Sequence, residues 1–208
     1  MRNVIKCDRL RKWSFWESKE EGDEMVKVFL ADVYLQMLKD VHHSVRQISV
    51  QAFDILFSTH GDLGSVDFKL KQEDVFETIY EILQQLLNVE GEFSNDELRD
   101  MSANRTACLL HSLSAIATIS PVCEKKAIFA IFQMAKEHKI STSLITKVLK
   151  QVSVAQKSGS LEAYMRSHLP YVVHHWLDLD YSVQQLPFQF FGFSTQKDFL
   201  MKNANALL

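Results

Sequence analysis

The sequence predicts an all-α chain, an α-solenoid of about five antiparallel helix hairpins of ~40 residues each. Three observations predict it. From Val26 onward, apolar residues recur at helical spacing, and no stretch alternates as a strand would. Gly is 6 and Pro is 3 in 208 residues, few for the many turns of a sheet protein. Near residue 40 an acidic turn followed by Val-Arg joins two of the helical patterns. Neither helix of such a pair can bury its apolar face alone, and stacked neighbours supply the missing core.

The clearest repeat spans 24–59. Its first helix carries Val26, Leu30, Val33 and Met37 on one stripe. The turn is Asp40-Val41-His42-His43-Ser44-Val45-Arg46. The second helix carries Val45, Ile48, Ala52, Ile55 and Leu56. Asp40 stands where a carboxylate accepts hydrogen bonds from the free amides opening that helix. Arg46 is placed to pair with an acid of the same or a neighbouring unit. Ala52 is small where the two helices approach. An acid at a short turn followed by Val-Arg is the signature of a HEAT-type repeat, so Asp40, Val45, Arg46 and Ala52 are its structural residues here. An ordinary helical hairpin of a globular bundle shares the periodicity. Gly61 ends the second helix as a left-handed cap, before the loop Gly61-Asp62-Leu63-Gly64.

The later helices follow in order. Residues 68–88 carry Phe68, Val75, Ile79, Ile82, Leu83 and Leu86. Gly91 breaks that pattern, and Ser94-Asn95-Asp96-Glu97 reads as a capping box. Residues 97–118 carry Leu98, Met101, Thr106, Leu109, Leu113 and Ile116. Ser120-Pro121 is a cap with proline at the first helical position, before Ala127, Ile128, Ile131 and Met134. Ser141 opens a helix through Leu144, Val148 and Val152. Ser158-Gly159-Ser160 is a loop. Residues 161–179 are helical, with Pro170 expected to split or kink them. The tail 186–208 reads as irregular and rich in Phe. It either covers the last helices or awaits the next unit. Neither end reads as a polar cap. Trp13, Phe15 and Trp16 at one end, and Phe188, Phe190, Phe191, Phe193 and Phe199 at the other, predict exposed aromatics and self-association.

Composition bounds the function. The chain is 47% hydrophobic and 24% charged, as folded soluble proteins are. A formal net charge of −3 gives no reason for strong nucleic-acid binding. Cys7, Cys108 and Cys123 are odd in number and scattered, which fits reduced thiols in a cytosolic or nuclear protein. No apolar run suits a secretory signal or a membrane span.

Four constellations were weighed for chemistry. His168, His174 and His175 crowd one helix, and His168 and His175 share a face. Zinc needs further ligands and supporting partners, none of which is evident, so packing or surface histidines are favoured. Cys108 and His111 share a face, but nothing orients the histidine, and a buried thiol is commoner. Arg2, Lys6, Arg9, Arg11 and Lys12 stand before Trp13, Phe15 and Trp16, yet Glu17, Glu20, Glu21, Asp23 and Glu24 cancel their field. Thr195-Gln196 is a two-residue motif that chance supplies freely.

Two longer stretches carry a resemblance. They are Ser120-Pro121-Val122-Cys123-Glu124-Lys125-Lys126-Ala127-Ile128-Phe129-Ala130, and Leu161-Glu162-Ala163-Tyr164-Met165-Arg166-Ser167-His168-Leu169-Pro170-Tyr171 running on to Trp176-Leu177-Asp178-Leu179. With Val45-Arg46 upstream, they resemble the N-terminal HEAT solenoid of the phosphatidylinositol-3-kinase-related kinases, in the branch that answers DNA double-strand breaks. The likeness covers roughly residues 31 to 200. It implies a large, nuclear, homodimeric serine/threonine kinase that phosphorylates before Gln, uses ATP and Mg, and is recruited by a break-sensing complex. For this chain it implies a non-catalytic scaffold without cofactor or metal. The implied partners are neighbouring repeats of the same longer chain and proteins of the break response, with no membrane. The sequence holds no glycine-rich nucleotide loop, no Asp-Phe-Gly and no catalytic loop at kinase spacing. No residue here inherits a catalytic or ATP-binding role. Two other readings stay open. One is a HEAT adaptor of another class, such as a transport receptor or phosphatase scaffold. The other is a small all-helical enzyme, which needs a pocket of convergent polar groups.

Overall fold

The structure, a computed structural model, describes residues 95–137 and 140–207, with scattered positions between 37 and 51 and between 72 and 84. The chain divides into two compact units, Met1–Cys123 and Glu124–Leu208. Every long regular element among the described residues is an α-helix, which is the expected all-α class.

In the first unit, α1 spans Asn95–Ile119. Its predicted stripe Leu109, Leu113 and Ile116 is fully buried. The described residues between 72 and 84 are helical and bury Phe76, Ile79 and Leu83. Ser112 and Thr118 donate to the carbonyls of Cys108 and Ser114 (2.8 Å each), which satisfies hydroxyls inside a helix. After α1, the buried Ser120 hydroxyl donates to Gln72 Oε1 (2.9 Å) and accepts from the Cys123 amide (3.2 Å). Ser120 thus closes the turn ahead of the next helix and does not cap that helix directly as expected. Pro121 is a turn residue, and the next helix starts only at Glu124. Of the repeat signature, Val45 is helical and half-buried, and its carbonyl accepts from Ser49 Oγ (2.9 Å). Asp40, Arg46, Ala52 and Gly61 lie outside the described residues.

In the second unit, α2 (Glu124–Glu137), α3 (Thr142–Ala155) and α4 (Leu161–Asp178) pack pairwise on one another. Helices joined by short turns and packed in this way are the local arrangement that an α-solenoid repeats. The α2 face is Ala127, Ile128, Ile131, Phe132 and Met134. The α3 face is Ile145, Val148, Leu149 and Val152. Ser141 caps α3 by accepting from the Leu144 amide (3.4 Å), and Ser160 caps α4 by accepting from the Ala163 amide (3.1 Å). Both helices end in a left-handed residue, Lys157 (φ 55°) and Asp180 (φ 53°). The amides of Ser158 and Tyr181 bond back to Ser153 and Trp176 (2.9 and 3.1 Å), closing the last turns.

Two expectations are corrected here. Pro170 does not split the helix, because α4 runs unbroken through it. Proline deletes one amide and crowds the preceding turn, at a cost of about 3 kcal/mol. Pro170 is exposed, while Met165, Leu169, Val172 and Trp176 are buried on the packed side and hold the helix together. The tail, in turn, is not irregular throughout, and its aromatics are not exposed. It forms 3-10 turns at Val183–Gln185 and Phe188–Phe191, then helix α5 (Gln196–Leu207). Phe190 and Phe191 pack on Phe132 of α2 at centroid distances of 5.5 and 5.7 Å, and Phe193 stands edge-on to Phe199 (5.2 Å). Phe190, Phe191, Phe193 and Phe199 are all buried. Arg166 Nε holds the hook by donating to the Phe191 carbonyl (3.2 Å). No helix among the described residues is long and apolar enough to cross a membrane.

Candidate functional site

Among the described residues of the second unit, a part-buried polar cluster joins the start of α2 to α4. Glu124 occupies the first turn of α2, where amide dipoles favour a carboxylate. Tyr164 and His168 lie one turn apart on α4 and face the same way, as i and i+4 must. The Tyr164 hydroxyl donates to Glu124 Oε1 (2.7 Å). His168 Nδ1 meets the Tyr164 carbonyl (2.9 Å) and Ser167 Oγ (3.1 Å). Its Nε2 stands 3.4 Å from Glu124 Oε1, yet no partner meets hydrogen-bond geometry there, so that contact is an ion pair only when the ring is protonated.

The electrostatics follow from these contacts. The His168 ring nitrogen and the Tyr164 hydroxyl hold the Glu124 carboxyl below its ordinary range, against an upward push from burial. Burial, and then the Glu124 hydrogen bond and charge, push the Tyr164 phenol well above its usual value. Tyr164 and His168 are only 5% and 4% exposed. The half-buried Glu124 is the member that meets solvent. The arrangement is a lock between two helices.

The histidine constellation seen in the sequence does not assemble, and the basic and aromatic run from Arg2 to Trp16 lies outside the described residues. His168 faces Glu124. His174 Nε2 and His175 Nδ1 instead lie 3.4 and 3.5 Å from Asp178 Oδ2, at the exposed end of α4. The His175 ring rests near Tyr171 and Phe129. Among the described residues no three His, Cys, Asp or Glu are placed to hold a metal ion. Cys108 is buried and His111 is exposed. Glu124 and Tyr164 escaped the sequence reading because 40 positions separate them. The available signals were the acid opening a helix after Ser-Pro, and the Tyr-His pair at i, i+4.

No protein-family model matches the chain. It is 32% identical over 211 residues to the serine-protein kinase ATM of Sus scrofa, covering 96% of this chain and 7% of that protein. It is 28% identical over 94 residues to the serine/threonine-protein kinase tel1 of Neurospora crassa, covering 45% of this chain and 3% of that protein. The chain thus spans a small part of the length of the kinases it matches. By sequence it is an ATM-like segment, similar along nearly its whole length to one short stretch of a far longer kinase polypeptide.

Proposed function

We propose that the chain is a non-catalytic scaffold and docking segment of an ATM-like serine/threonine kinase acting in DNA double-strand-break signalling and repair. One observation carries this reading: the likeness runs along 96% of the chain while touching 7% of the kinase. Two others support it. The described helices of the second unit pack pairwise, and in the Glu124–Tyr164–His168 cluster the Tyr164 hydroxyl and the Glu124 carboxylate bond to each other. HEAT-type stacking, a nuclear location, a homodimeric parent and partners from the break response belong to the same proposal. ATP and Mg would bind in the kinase domain of such a polypeptide, outside this segment.

An antibody raised against this chain tests it, applied to nuclear extract before and after DNA breakage. The expected catch is a polypeptide many times larger than 24.0 kDa, active on a peptide with Ser before Gln. A long polypeptide without kinase activity would favour an adaptor of another class, such as a transport receptor or phosphatase scaffold. Saturable micromolar ATP binding by the purified chain would refute the non-catalytic role.

A further inference from the structure

We propose that the solvent face of α3 docks an acidic segment of a protein partner. This surface is independent of the kinase reading. Between residues 138 and 161 the sequence carries four lysines and no Asp or Glu. The second unit, Glu124–Leu208, has ten Lys and Arg against six Asp and Glu, a formal +4 within a chain of −3.

The helix places this charge in one line. Ser143, Lys147, Lys150 and Val154 follow one another along α3 at spacings of four, three and four, with Lys157 in the turn just past its end, and all five are exposed. Such a repeat keeps to one side of a helix. The opposite side, Ile145, Val148, Leu149 and Val152, is buried, so the line faces away from the core. From Ser143 to Val154 it runs roughly 17 Å at 1.5 Å per residue.

No acid among the described residues of the unit pairs with these lysines. The nearest acids in sequence are engaged elsewhere. Glu137 accepts from the Tyr181 hydroxyl (2.6 Å) and Gln133 (3.1 Å), and Glu162 pairs with Arg166 (2.7 Å). Among the described residues, Lys147, Lys150 and Lys157 make no ion pair. Lys147 and Lys150, at i and i+3, repel each other and mildly disfavour their own helix. A partner bearing carboxylates at matching intervals relieves this repulsion.

The apolar member of the line decides the class of partner. Val154 is 67% exposed in the midst of the lysines. A protein segment that mixes acids with an apolar side chain covers it, whereas a phosphate backbone leaves it bare. The line also has no arginine and no aromatic ring on which a base could stack.

The test uses the full 208-residue chain and a fluorescein-labelled peptide of about 15 residues, with Glu at the same four-three spacing and one Leu. Saturable binding that weakens with salt is expected. Lys147→Glu with Lys150→Glu should weaken it about tenfold, through two exposed pairs lost and two repulsions gained. Lys147→Arg with Lys150→Arg should keep it, and Val154→Ser should weaken it at fixed charge. All these sites are exposed, so an unchanged melting curve is expected of each variant. Unchanged peptide affinity in the charge-reversed chain would overturn the proposal. So would tighter binding of a 20-base-pair duplex than of the peptide, or self-association abolished by the same reversal. Those two results would assign the line to nucleic acid or to a second copy.

Discussion

Phe191→Ala tests how the tail is held. The ring is fully buried and lies 5.7 Å from that of Phe132. A buried Phe removes about 150–250 Å² from water, and about 25 cal/mol per Å² makes this roughly 4–6 kcal/mol. Alanine keeps the Cβ, so the expected loss is about 3–5 kcal/mol. That is a large share of the ~5–15 kcal/mol stabilising an ordinary domain. With a urea slope of about 1–3 kcal/mol per molar, the midpoint should fall by about 1 M or more. Urea melts followed by circular dichroism and by Trp fluorescence read this loss. Phe188→Ala is the control: its side chain is only half-buried, so its effect should be less than half as large. If Phe191→Ala leaves the midpoint within about 0.5 M and raises solubility, the hook is not packed and the aromatic tail is a free apolar surface after all.

Three further outcomes are expected. Lys157→Gly and Asp180→Gly relieve side chains held at φ 55° and 53°, and each should raise stability by about 0.5–1 kcal/mol in thermal melts; a drop in either would show that its side chain makes contacts that outweigh the strain. Gly192→Ala should lose about 1–2 kcal/mol, because φ is 78° and the added Cβ overlaps the Glu162 carboxylate that pairs with Arg166; an unchanged melt would mean that the hook backbone relaxes freely. The folded carboxyl of Glu124 titrates below its ordinary value of 4.5, so its stabilisation is present above that pH and lost as pH falls through the lower folded value. Tyr164→Phe removes one cause of this and should cost about 1 kcal/mol at pH 7 while flattening the acid limb. An acid limb as steep as the parent's would detach Tyr164 from the effect.

Much of the fold was legible in the sequence because helical burial is periodic. Leu109, Leu113 and Ile116, then Ala127, Ile128, Ile131 and Met134, were placed on inner faces by spacing alone, and all are buried. The helix start at Ser141 was legible for a similar reason, since a cap involves only residues three apart, whereas Ser160, read only as loop, proves to cap α4. Such signals lie within one or two turns of chain. The candidate cluster was not legible, because Glu124 meets Tyr164 and His168 only through the packing of α2 on α4.

By itself, then, the sequence determined the all-α class, the spacing of the helices, their apolar faces and the ATM-like resemblance. Tertiary structure decided what becomes of side chains whose partners are distant. It decided between the two readings of the Phe-rich tail by burying it as a hook on Phe132, and it continued α4 through Pro170. The physical reason is the same in both cases. A local propensity is worth up to a few kcal/mol, and burial of a whole apolar face against neighbouring helices outweighs it.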